Sequence, residues 1–86
     1  MAKSLPDIQA THEWQDLTTL PGYAEIADQT VTLQAKAGKF NHVYFGGSAA
    51  PDPRDGLALP VIVSVTGTSD HIWVRGTGRI AILLED

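Results

Sequence analysis

Apolar residues in this chain recur at every second position. Val31, Leu33 and Ala35 alternate with Thr32, Gln34 and Lys36, and Val43 and Phe45 alternate with His42 and Tyr44. Val61, Val63 and Val65 alternate with Ile62, Ser64 and Thr66, and Ile72, Val74, Ile80, Ile82 and Leu84 continue the pattern. A period of two puts successive side chains on opposite faces of a strand, whereas a helix needs recurrence every three or four residues. HEWQDLTTL, residues 12–20, reads as either one helical turn or a short strand, and no segment of ten or more residues keeps a helical period. The runs are short, rich in β-branched and aromatic residues, and bounded by Gly, Pro, Asp and Asn. The pattern predicts an all-β protein: a single small antiparallel sandwich, barrel or jelly-roll-like domain over residues 13–86. Residues 1–12 contain Pro6, show no period and read as an N-terminal arm, ordered only if docked.

The final stretch, HIWVRGTGRIAILLED, reads as a hairpin around Gly76-Thr77-Gly78. That register sets Val74 against Ile80, Ile72 against Ile82 and Trp73 against Ala81. It also sets Arg75 against Arg79, and like charges directly across a ladder repel. Either the two arginines splay, or an anion such as a neighbouring subunit's carboxylate sits between them.

The second face of the strands carries Tyr44, Ile62, Trp73 and Leu83, on the side that a lone antiparallel sheet gives to water. Among them stand Thr32, Gln34, His42, Ser64, Thr66, Arg75 and Glu85. Large aromatics and arginine among polar groups are the composition of a protein–protein interface. Three explanations compete: a second core inside a sandwich, a contact between copies, or a ligand platform of stacking aromatics. Burying a Trp or a Leu contributes about 1.5–3 kcal/mol each, which is large for a domain with a few kcal/mol of margin.

A chain of 86 residues forms one small domain, and the absence of cysteine excludes disulfides and thiolate metal sites. The net charge is −4, and the basic residues Lys3, Lys36, Lys39, Arg54, Arg75 and Arg79 are scattered. Nucleic-acid binders carry a basic stripe, so no nucleic-acid partner is expected. No apolar run reaches signal-peptide or membrane-spanning length, so a soluble chain without a membrane partner is expected.

Tests for chemistry return little. His12, His42 and His71 lack ligand spacing within any one element, and no carboxylate is expected near His71 on its strand face. PDPRDG, residues 51–56, has the wrong residues for a calcium loop and reads as a turn. Ser69, Asp70 and His71 are consecutive, so they point to opposite faces and cannot converge as a triad. The Gly76-Thr77-Gly78 stretch precedes a strand, whereas a phosphate loop opens a helix. No catalytic, cofactor or metal-binding residue is assigned, and no enzyme activity is expected.

Taken in order, Trp14, Asp16, Leu17 and Thr18, then VTLQAK, VYFGGSAAPD, GLALPVIVSV and HIWVRGTGRIAILLE, resemble small structural proteins of tailed-bacteriophage virions. The resemblance runs from residue 14 to residue 86. It implies a head-decoration, head–tail or tail component: a symmetric homo-oligomer, a trimer in many cases, bound to the phage major capsid protein or to tail proteins in the virion. Tyr44, Ile62, Trp73 and Leu83 are the residues expected at the self-association surface, with Arg75 and Arg79 as charged partners. The rival reading is a carbohydrate-binding module that uses Trp73 and Tyr44 as stacking platforms.

Overall fold

Alternating burial is realised along residues 30–35, 72–75 and 79–85. The computed structural model describes residues 3–37, 40–52, 54–60 and 63–85. Among them are β1 (Lys3–Gln9), β2 (Gln15–Asp16), β3 (Thr30–Ala35), β4 (His42–Phe45), β5 (Leu57–Ala58), β6 (Ser64–Thr68), β7 (Ile72–Arg75) and β8 (Arg79–Glu85). The only helical pieces among these residues are single 3-10 turns at Leu17–Thr19 and Ala24–Ile26.

The strands form two four-stranded antiparallel sheets, one in the order β1-β8-β3-β6 and the other in the order β2-β7-β4-β5. The pairings have a simple rule. β4 pairs with β5, β3 with β6, β2 with β7 and β1 with β8. The whole chain is therefore one long hairpin whose tip lies between β4 and β5. Rolling that hairpin up brings β8 against β3 and β7 against β4. This is jelly-roll topology, an open sandwich and not a closed barrel.

The core lies between the sheets. The first sheet supplies Val31, Leu33, Ala35, Ile80, Ile82 and Leu84, and the second supplies Val43, Ile72 and Val74. Leu17 and Ile26, one from each 3-10 turn, are fully buried with them. At about 1.5–3 kcal/mol for each large apolar side chain, these contacts are what hold two short-stranded sheets together.

The expected hairpin of β7 and β8 does not form. β7 pairs with β2 and β4, while β8 pairs with β1 and β3, in the other sheet. Ile72 and Val74 thus lie across the core from Ile80 and Ile82 rather than beside them. Alternation fixes which face of a strand is apolar, but two strands facing each other show the same alternation as two strands side by side. Arg75 stands opposite His42, and Arg79 opposite Gln9, so the expected arginine clash disappears.

The segment between β7 and β8 is an arch from one sheet to the other, and Asn41 is its anchor. Asn41 is 2% exposed. Its Oδ1 accepts from the Thr77 and Gly78 N–H groups at 3.2 and 3.1 Å, and its Nδ2 donates to the Ala37 carbonyl at 3.1 Å. Gly76 has φ +153°, and a Cβ there would stand 2.7 Å from the Asn41 Cα. Glycine is required at this position by both conformation and space. The Gly76 N–H donates to the Thr11 carbonyl at 2.7 Å, tying the arch to the start of the chain.

The N-terminal segment is docked, and on its own chain. β1 is an outer strand of the first sheet, and Leu5, Ile8 and Ala10 join the core. The register shifts between Leu5 and Ile8, across Pro6 and Asp7, which is why this strand shows no period of two. The Tyr23 hydroxyl donates to the Pro6 carbonyl at 2.6 Å.

Candidate functional site

With Val43, Phe45, Ile72 and Val74 turned to the core, the alternate residues of β4 and β7 must point outward. Tyr44 stands opposite Trp73, and His42 opposite Arg75. All four are half-buried. β2 extends the same face, since Asp16 is the cross-strand partner of Trp73. Trp14, just before β2, completes it: its ring meets Tyr44 edge-to-face at 6.4 Å and 65°, and the Arg75 guanidinium lies 5.8 Å from the Trp14 ring centroid. Edge-to-face aromatic pairs contribute about 0.5–1.5 kcal/mol beyond their burial, and cation–π contacts at exposed sites about 0.5–1 kcal/mol.

The hairpin tip folds back across this face. The Trp73 indole N–H donates to the Gly47 carbonyl at 2.9 Å, and the Trp14 indole N–H to the Asp52 carbonyl at 3.3 Å. Asp52 Oδ1 in turn accepts from the Arg54 backbone N–H at 2.9 Å, and the Asp52 carbonyl also accepts from the Asp55 N–H at 2.9 Å. An open cleft of about 420 Å³ lies against Trp14, lined by His12, Glu13, Ala50, Pro51 and Arg75.

Beside the aromatics is a carboxylate–imidazole pair. Asp16 Oδ2 lies 2.6 Å from His71 Nδ1. Its Oδ1 accepts from the Thr18 N–H at 3.0 Å and the Thr18 hydroxyl at 2.7 Å, capping the 3-10 turn that buries Leu17. Burial by itself would raise the Asp16 pKa. The hydrogen bonds from Thr18 and His71, with the charge of His71, outweigh it and hold the carboxyl below its ordinary value. An ionised carboxylate only accepts, so Nδ1 carries the proton shared with it. The expectation that no carboxylate lies near His71 is thereby corrected: the partner comes from β2, across the sheet, not from neighbouring Asp70. Ser69 Oγ accepts from the His71 backbone N–H at 3.4 Å. The pair joins the cap, β2 and β7. Among the described residues no three His, Asp or Glu side chains gather as a metal site.

The residues expected to share one surface are divided. Tyr44, Trp73 and Arg75 come together on the outer face of the second sheet. Leu83 and Arg79 lie on β8, whose outward side belongs to the other sheet and faces the opposite way. There Leu83 is half-buried opposite Ser4 and Thr32, and the Arg79 Nε lies 3.8 Å from Asp7 Oδ2. Ile62, like Val61 and the turn at Gly38, falls outside the described residues. Trp73 is not enclosed in a second core.

Trp14, Asp16 and Phe40 are the additions that the structure makes. The parity of β2 could have placed Trp14 and Asp16, but two strand residues are too few to show a period. Phe40 is 78% exposed, with φ +59°. Positive φ is uncommon for a bulky residue, and the ring is displayed to solvent beside His42, whose Nδ1 donates to the Phe40 carbonyl at 2.8 Å. No known protein-family profile matches the chain, and comparisons with curated proteins and with solved structures find no similar one.

Proposed function

We propose that the chain is a non-enzymatic structural protein that docks on a larger protein lattice, the capsid or tail of a phage virion being the assembly its sequence resembles. One observation carries this reading. The second sheet has already committed its inner face to the core, yet its outer face holds Trp14, Tyr44 and Trp73 beside Arg75. Aromatic residues and arginine dominate binding energy at protein interfaces, and these are held at fixed positions by the sheet and by two indole hydrogen bonds. Rigid anchors lose little entropy on docking. Jelly rolls serve capsids and lectins alike, so the fold itself does not choose between them.

A carbohydrate platform is the second reading, favoured by the open cleft against Trp14. The test uses the purified chain and shells assembled from a tailed-phage major capsid protein. Co-sedimentation should saturate, and Trp73→Glu should weaken it about 30-fold, the effect of losing one interface hot spot of about 2 kcal/mol. Failure to bind shells, together with oligosaccharides that shift the tryptophan fluorescence, would transfer the site to sugars.

A further inference from the structure

Each sheet has two edges, and three of the four are protected against pairing with another strand. β1 carries Lys3, Pro6 and Asp7 and a shift in register. β2 and β5 are two residues long. Charges, proline, irregular register and shortness are the devices by which natural sheets keep their edges from pairing. β6, the remaining edge, has none of them. Its sequence is SVTGT, without charge or proline, and its pairing with β3 runs unbroken over five rungs. Among the described residues no other segment pairs with its outer side. Val63, which leads into it, is 48% exposed.

From this contrast we infer that β6 is a pairing edge and that its occupant is β6 of a second copy, joined antiparallel about a two-fold axis through Thr66. The edge is self-complementary in that register. Thr66 meets the partner subunit's Thr66, Ser64 meets the partner's Thr68, Val65 meets the partner's Gly67, and Val63 meets the partner's Ser69. On the inner side a large residue again faces a small one, as Val31 already faces Gly67 on β3. Gly67 is bare because the Phe45 ring lies on it; a Cβ there would stand 2.8 Å from Phe45 Cζ. On the outer side the pairing extends an existing row of hydroxyls, in which Thr30 shares a 3.1 Å hydrogen bond with Thr68, and the Thr66 hydroxyl donates to Thr32 at 2.8 Å while Thr32 donates to Glu85; the new hydroxyl contact is between Ser64 and the partner's Thr68.

Charge permits the same occupant. Two chains of net charge −4 repel, and a contact between them needs a stretch in which no acid faces an acid. From Val63 to Ser69 there is none. The product is a continuous eight-stranded sheet across two copies, leaving both aromatic faces open. It is independent of what those faces bind. The paired length is short, so the buried area falls below that of a standard interface and the dimer is concentration-dependent.

Sedimentation equilibrium from about 10 µM to 1 mM, a range suited to a weak contact, tests this. The mass of the wild type should climb from 9.2 kDa toward twice that value. Thr66→Lys points outward, leaves the core untouched, and sets two like charges on the axis; it should weaken association at least 10-fold. Thr66→Glu should do the same, and an equimolar mixture of the Lys and Glu variants should regain the dimer. Thr66→Val, which keeps the β-branched shape, should still dimerise. Circular dichroism and tryptophan emission establish that each variant is folded. Trp73→Glu should leave the dimer intact. A wild type that stays at 9.2 kDa throughout overturns the inference, as does a mass that levels at three copies. A Thr66→Lys variant that dimerises like wild type also overturns it, and loss of the dimer in Trp73→Glu would move the contact to the aromatic face.

Discussion

Replacing Asn41 by Ala should loosen the arch that carries the chain from one sheet to the other. Three hydrogen bonds are lost, but they do not weigh equally. Thr77 and Ala37 are exposed, so the Thr77 N–H and the Ala37 carbonyl can turn to water at little cost. Gly78 is buried, and its N–H has Asn41 Oδ1 at 3.1 Å. Leaving one buried donor unsatisfied costs about 1–3 kcal/mol. With a small further loss of packing, Asn41→Ala should destabilise the protein by about 2–3 kcal/mol, which for a domain this small lowers Tm by about 8–24 °C. The assay is urea unfolding followed by tryptophan emission and by far-UV circular dichroism, with coincident transitions and an unchanged m-value. Gly76→Ala should cost at least as much, because the added methyl meets the Asn41 backbone as well as its side chain. The double variant should cost less than the sum, since part of that clash is with the amide that Asn41→Ala removes. An Asn41→Ala loss below about 0.5 kcal/mol, within the range of ordinary surface substitutions, would refute the account. Full additivity with Gly76→Ala would refute the contact between the two residues.

Asp16→Asn should cost about 1–2 kcal/mol at neutral pH, where a charge-assisted bond to His71 is exchanged for a neutral one. The Asp16 pKa is lowered in the fold, so its stabilisation is complete above the unfolded value of about 3.8 and is lost as pH falls through the folded value; urea midpoints of variant and wild type should converge between pH 7 and pH 2.5. Gly67→Ala, whose methyl presses on the Phe45 ring, should cost about 1–3 kcal/mol by overpacking, read by the same unfolding curves. Leu83→Glu alters the opposite sheet and should leave binding through the aromatic face unchanged, whereas Trp73→Glu weakens it about 30-fold; co-sedimentation with shells reads both.

The faces of the strands were legible in the sequence, and their partners were not. Parity alone turns Val43 and Ile72 inward and Tyr44 and Trp73 outward, as found. Parity also turns Leu83 outward, but it carries no information about which sheet a strand enters, so it gathers Leu83 and Trp73 on one surface although they lie on opposite ones. The β7–β8 hairpin failed for the same reason: a Gly-Thr-Gly turn suits either a tight hairpin or an arch, and the buried Asn41 that decides for the arch is far off along the chain. β1 was hidden by the register shift at Pro6, which sets Leu5 and Ile8 three positions apart. Asp16 and His71 meet only because β2 and β7 are paired, and β2 is too short to be seen as a strand.

The rolled hairpin also governs how the molecule must form. Only its innermost rungs, such as Val43 with Leu57, join neighbouring strands, and that pair is held by a two-residue strand. Every further rung encloses more chain, out to Lys3 with Leu84. The entropy of closure is therefore spent before most of the reward arrives, which places refolding among slow β topologies, on a scale of about milliseconds to seconds. β8, which bridges β1 and β3, is also the last of the eight strands to be synthesised. Until it emerges, the first sheet has no middle, and its greasy halves stay open to capture by other nascent chains.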